Sequence, residues 1–254
     1  MRRLIPSVLL SVLLLLAAAL QPSRASSLAS DDSVQYSINI SAWTGYGYTD
    51  IPGPVTTMPV EQTNIMATWG HMNLFAWNSV GLGGGRYGYS DVHQRRADEW
   101  DFGASYTDMF KTHLGDVVYE IGTKYIALPY SKGGIWSSTD DALNAYVEVG
   151  LREAVAEGIT ATPYVKFSGY YHLDGRTPFD PVIGYGVKFV ADLGNGFSLN
   201  ANIGGASNPV RHETFGRFTA NIAKSFGRWS VDVGAQEVTF AEHPVYGVTF
   251  SGRF

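Results

Sequence analysis

The stretch Val245–Phe254, VYGVTFSGRF, reads in twos. Tyr246, Val248, Phe250, Gly252 and Phe254 form one set, while Val245, Gly247, Thr249, Ser251 and Arg253 form the other. One set is aromatic and apolar and the other is small and polar, the period-two signature of a β-strand with one dry face and one wet face. The same rule holds upstream. In RWSVDVGAQ, Trp229, Val231, Val233 and Ala235 oppose Ser230, Asp232, Gly234 and Gln236; in FSLNANIGG, Phe197, Leu199, Ala201 and Ile203 oppose Ser198, Asn200, Asn202 and Gly204. GRFTANIAKSF keeps the pattern with Lys224 on the dry side, placed by its position near the strand end to reach polar headgroups. PVIGYGVKFVADL, ITATPYVKFSGYY, DALNAYVEVGLR, DVVYEIGTKYIA and DEWDFGASY follow suit. Pro163 falls in a dry-face register and removes one ladder hydrogen bond, so a local bend is expected there. Nearer the N-terminus, QYSINISAW alternates well, whereas TNIMATWGHMNLFAWNSVG reads as a hairpin turning near Gly70 with poor alternation on both arms.

Which medium meets the dry faces follows from composition and connections. Charged residues make up only 16% of the 254, against roughly 25% in ordinary soluble proteins. The apolar half of every strand repeats over more strands than one packed core consumes, and the other half is too polar and Gly-rich to form a core. A soluble sandwich or a lipocalin-like barrel, whose strands also alternate, uses only one of the two halves. A membrane barrel uses both, apolar outside and wet inside. Links between strands alternate in length. Short ones lie near Gly70, between Phe110 and Gly115, around Ala154–Gly158, at LGNG and at Gly227; longer ones include TDIPGPVTTMPVE, GGGRYGYSDVHQRRA, PYSKGGIWSSTDD, HLDGRTPFD, SNPVRHET and EHP. Short turns on one rim and longer loops on the other mark a transmembrane antiparallel up-and-down β-barrel. The count is about 12 strands of roughly 9–13 residues, long enough to cross a bilayer when tilted.

The first residues, MRRLIPSVLLSVLLLLAAALQPSRASSLAS, carry Arg2 and Arg3, an apolar run from Leu4 to Leu20, and small residues that allow cleavage after Ala25 or Ala29. That is the layout of a signal peptide over residues 1–25, with the barrel domain over 26–254. An uncleaved membrane anchor is the alternative. Cleavage after Ala25 removes Arg2, Arg3 and Arg24 and no acid, taking the formal charge from −5 to −8. An acidic exported domain has no electrostatic attraction for nucleic acid. With no Cys, neither a disulfide framework nor a thiolate metal site is available.

A chain of this kind that ends on an aromatic residue resembles the outer-membrane proteins of Gram-negative bacteria. The resemblance implies that Phe254 is the assembly signal read by the barrel-assembly machinery. The segments ADEWDFGASY, LGDVVYEIGTKYIALPYS, NAYVEVGL, LGNGFSLNANIG and IAKSFGRWSVDVGA further resemble, in their order, the TorF-like porin family, over roughly the last two thirds of the mature chain.

The expected function is a porin-like channel in the bacterial outer membrane, passing small solutes by passive diffusion, among outer-membrane lipid and lipopolysaccharide. Its pore-lining candidates, all on wet faces, are Asp101, Glu120, Lys124, Glu148, Arg152, Lys166, Lys188, Arg217, Asp232 and Arg253. Rings of charge tune which solutes pass. The competing reading is that opposite charges pair across the lumen and plug it, leaving a closed barrel with a structural or loop-mediated binding role. A lipid-modifying enzyme is the third possibility and requires a nucleophile, a His and an orienting group together at one rim. Ser168 with His172 and Ser207 with His212 are the pairs to consider, without any nucleophile motif around them. No cofactor and no metal are expected, since none of the six His residues shares metal-ligand spacing. The chain is therefore read as a non-enzyme. Arg86, Arg95 and Arg96 in the Gly-rich loop are able to touch lipopolysaccharide phosphates. Trp43, Trp69, Trp77, Trp100, Tyr171, Trp229 and Tyr246 are assigned to interfacial girdles rather than to sugar stacking.

Overall fold

In a computed structural model of the chain, the described residues are 33–47, 54–56, 59–82, 99–127, 141–173, 179–238 and 244–254. The expected signal peptide with its expected cleavage sites, and the loop carrying Arg86, Arg95 and Arg96, lie outside them. The described residues form fourteen strands: β1 Gln35–Trp43, β2 Tyr46–Gly47, β3 Pro54–Thr56, β4 Val60–Trp69, β5 Met72–Gly81, β6 Glu99–Thr112 and β7 Gly115–Ala127. They continue with β8 Ala142–Ala156, β9 Ile159–His172, β10 Asp180–Gly194, β11 Phe197–Asn208, β12 Glu213–Phe226, β13 Trp229–Val238 and β14 Val245–Arg253. Twelve of them, β1 and β4 to β14, form a closed antiparallel barrel in which each pairs with its sequence neighbours. The expected fold and strand number are therefore observed. A two-stranded sheet of β2 and β3 stands in the first long connection and was not anticipated.

Closure satisfies the edges that an open sheet would leave. β1 pairs with β14 from Ser37–Arg253 to Trp43–Gly247, and Phe254 exchanges backbone hydrogen bonds with Tyr36 at 2.8 and 3.0 Å. The terminal ring packs edge-on against Trp229 at 5.2 Å, and Trp229 stacks on Phe250 at 5.0 Å. The terminal stretch is thus the closing seam of the barrel.

Five hairpins turn in two residues each: Trp69 to Met72, Thr112 to Gly115, Ala156 to Ile159, Gly194 to Phe197 and Phe226 to Trp229. At Asn195–Gly196 both central residues have positive φ, 52° and 76°, the mirror-image turn whose twist matches that of the flanking strands. The connection SNPVRHET is shorter than expected. Ser207 pairs with Thr214 and Asn208 with Glu213, leaving a four-residue turn. The Asn208 side-chain oxygen accepts from the backbone N–H groups of Val210 and Arg211, which stabilises that turn. The irregularity expected at Pro163 appears as a gap: the β8–β9 ladder skips from Gly150–Tyr164 to Glu153–Ala161.

The register assigns every strand face. Tyr36, Ile38, Ile40 and Ala42 share their face with Phe250 and Val248, with Val233 and Ile222, and so on around the barrel. Large apolar residues on this face are exposed, among them Val233 at 58%, Ile222 at 53% and Val248 at 50%. An apolar belt of this extent exceeds the patches tolerated on water-soluble monomers. Lys224 is on this face near the short-turn rim, with its ammonium 4.2 Å from the Phe197 ring centroid and donating to the Asn195 carbonyl. Of the aromatic residues assigned to girdles, Trp69, Trp100, Tyr171, Trp229 and Tyr246 face outward. Trp43 and Trp77 do not: Trp43 pairs with Gly247 and Val60, and Trp77 with Asn64 and Asp101, all on the inner face. A Trp is large enough to serve either face, so its position near a strand end does not settle which.

Candidate functional site

The inner face is the candidate site. Register places all ten charged candidates on it, on strands β6 to β10 and β12 to β14. The geometry brings most of them into contact. Lys124 Nζ lies 2.5 Å from Asp101 Oδ2, a pair joining β7 to β6. Tyr146 donates to Glu120 at 2.7 Å, and the Lys166 ammonium sits 4.7 Å from the centroid of the same Tyr146 ring. Lys188 reaches across to the carboxylate of Glu148 and lies 4.8 Å from the Tyr164 ring centroid. Arg217 donates to the Tyr164 hydroxyl at 2.7 Å, and Tyr164 in turn approaches Asn202 at 3.3 Å. Paired charges and phenols therefore run across β6 to β12, from Asp101 and Lys124 near the long-loop ends of β6 and β7 to mid-strand positions on the strands beyond. These contacts fall into three groups, Asp101 with Lys124, Glu120 with Tyr146 and Lys166, and Glu148 with Lys188, Tyr164, Arg217 and Asn202, each tying neighbouring strands together.

Three candidates stand apart from these groups. Arg152 pairs with Asp116 at 3.2 Å beside the short turn Thr112–Gly115, and Arg253 is exposed at the same rim. Asp232 faces Thr249 across β13 and β14 and is hydrogen-bonded by it. The sequence reading did not find Asp116, Tyr146, Tyr164 or Asn202 as partners, because alternation places a residue on a face but not beside a particular neighbour.

Toward the long-loop end, the inner face becomes dense. Ile126, Ala142, Tyr170, Val182, Ala206 and Phe215, on β7 to β12, form a buried apolar cluster. Beside it Asp180 is buried and held by Asn208 and by Arg211, whose Nε lies at 3.2 Å. A cavity of about 630 Å³ is lined by inner-face residues of β1, β4 to β9 and β13, including Trp43, Asn64, Phe75, Trp77, Asp101, Lys124 and Tyr146.

Glycines keep this space clear. A Cβ on Gly122 would lie 2.5–2.7 Å from atoms of the Tyr146 ring, one on Gly103 would meet the Phe75 ring, and one on Gly247 would meet the Trp43 indole. Each ring thus lies against the wall over a glycine of the neighbouring strand instead of projecting across the lumen.

The Ser–His pairs do not assemble into a nucleophile site. Ser168 and His172 are on one strand and one face, four residues and so roughly 13 Å apart. Ser207 lies on the outer face and accepts from Thr214 at 3.2 Å. Among the described residues, no group of three or more His, Asp or Glu is placed to hold a metal ion.

No protein-family model and no curated protein matches the sequence. Solved structures do match. The chain is similar to the NanC porin (TM-score 0.55, 7% identity, covering 85% of this chain and 98% of that one) and to the KdgM porin (0.52, 8%, 87% and 99%). It is also similar to an outer membrane channel from Pseudomonas putida F1 (0.51, 10%, 92% and 99%). At this identity the likeness is one of fold, and the fold held in common is the closed antiparallel barrel of outer-membrane channels.

Proposed function

We propose that the protein is a porin-like channel of the bacterial outer membrane, through whose lumen small hydrophilic solutes diffuse passively. One observation carries the reading: a closed 12-stranded barrel with an exposed apolar outer belt encloses a cavity of about 630 Å³ lined by charged, amide and aromatic side chains. Asp101, Glu120, Lys124, Glu148, Lys166, Lys188, Arg217 and Asp232 line the path, and Arg152 and Arg253 ring its short-turn mouth. Lipid and lipopolysaccharide surround the belt, and the barrel-assembly machinery reads Phe254. The segment order quoted above supports placement within the TorF-like porin family, and the neighbours' printed descriptions as porins and channels support the transport role. Catalysis has no part in this reading.

A second reading, a barrel closed at one end with a role borne by its loops, is favoured by the buried apolar cluster of Ile126, Ala142, Tyr170, Val182, Ala206 and Phe215. Reconstitution of the mature chain from Ser26 in a planar bilayer separates the two. Discrete current steps, altered by Lys166→Glu or Lys188→Glu, are expected of the channel. Silence from a protein that circular dichroism shows to be folded β-sheet means the closed barrel.

A further inference from the structure

The lumen is chemically divided. On β1, β4 and β5 the inner residues Ser37, Asn39, Ser41, Gln62, Asn64, Met66, Asn73, Phe75 and Trp77 carry no charge, whereas the paired charges occupy β6 to β10. The uncharged arc lines the cavity with rings and amides. From this we infer that the arc residues Trp43, Phe75, Gln62 and Asn64, flanked by Asp101 on β6 and Gln236 on β13, make a binding subsite for a neutral saccharide; the inference rests on the lumen being a solute path.

Three atoms of the Trp43 indole, Cδ2, Cε2 and Cε3, stand at near-equal distances from the Cβ position of Gly247. That sets one face of the indole against the wall and turns the other to the cavity. A pyranose has two kinds of surface, an apolar face of C–H groups and an equatorial rim of hydroxyls. The C–H hydrogens meet the electron-rich face of an aromatic ring favourably. Each hydroxyl both donates and accepts, as do the side-chain amides of Gln62, Asn64 and Gln236. Asp101 adds an acceptor. Its Oδ2 is occupied by Lys124, while Oδ1 has no hydrogen-bond partner although the residue is only 4% exposed. A buried carboxylate oxygen left in this state is stabilised by a donor hydroxyl. Charge argues for a neutral ligand, because the acids that line the cavity, Asp101 and Glu120, are balanced by Lys124 and Lys166. A volume of about 630 Å³ lies within the range of small-molecule sites.

The test records ion current through the reconstituted mature chain while raffinose, a neutral trisaccharide, is added. Saturable interruption of the current is expected, with half-saturation raised roughly three- to tenfold by Trp43→Ala and by Phe75→Ala, and largely restored in Trp43→Phe. Polyethylene glycol of the same hydrodynamic radius lowers the current without saturating. Raffinose behaving like the polymer overturns the subsite, as does a half-saturation that Trp43→Ala leaves in place; both leave the channel standing, since current is still recorded. If Trp43→Ala does not fold, Phe75→Ala decides in its stead. A folded barrel without current removes the channel reading, and the subsite is then read by saturation-transfer NMR of raffinose with the detergent-solubilised protein. Transfer that Phe75→Ala weakens supports it, and absence of transfer overturns it.

Discussion

Replacing Val233 with Arg tests what the outer belt faces. Val233 is 58% exposed and stands in register between Ile222 and Val248, themselves half exposed. If the belt met water, the change would alter stability by no more than about 0.5 kcal/mol, as surface substitutions do. In lipid the cost depends on depth. Trp229, at the short-turn rim, lies four residues away on the same face, about 13 Å along the strand and about 10 Å along the membrane normal at a tilt near 40°. An apolar band about 25 Å tall then puts Val233 close to the midplane, where Arg costs about 2–4 kcal/mol. Thr249→Arg is the control. It lies one residue from Val248 on the inner face, opposite Asp232, and is expected to cost less than about 1 kcal/mol. The assay is equilibrium urea unfolding of protein folded into lipid vesicles, followed by Trp fluorescence with the slope of the transition held constant. A shift below 0.5 kcal/mol for Val233→Arg, or equal shifts for the two variants, would refute the assignment of faces.

Further outcomes follow from single contacts. Asp101→Asn leaves Lys124 without its carboxylate partner, so the reversal potential in a salt gradient moves toward anion preference; an unmoved potential takes the pair out of the ion path. Gly122→Val drives a side chain into the Tyr146 ring, with an expected cost of about 1–3 kcal/mol in the urea titration and a smaller unitary current as the ring is pushed inward. Gly196→Ala, at φ 76° with the Ser225 carbonyl 2.9 Å from the new Cβ, is expected to destabilise by about 1 kcal/mol or more and to leave the conductance as it was.

Legibility differed along the chain for physical reasons. The strands from Glu99 onward announced themselves because lipid selects large apolar residues at every second position and the lumen tolerates small and polar ones. β4 and β5 resisted because their inner face carries Met66, Phe75 and Trp77 while their outer face carries Thr63 and Asn78, so the contrast between faces is blurred. That same blurring marks the arc where rings line the cavity. The misassigned Trp43 shows the limit of position alone, since only its pairing with Gly247 turns it inward.

The sequence by itself determined the barrel, its approximate strand number, the places of its short turns and the face on which each charged candidate lies, because alternation, turn residues and strand length are local properties. Only the tertiary structure decided which charges meet. Lys124 and Asp101 are 23 residues apart, Lys188 and Glu148 are 40 apart, and Arg217 and Tyr164 are 53 apart. Such contacts depend on the cumulative register of several strand pairs and on the closure of β1 onto β14. A shift of one residue at any of those pairings would exchange the wet and dry faces of every strand beyond it.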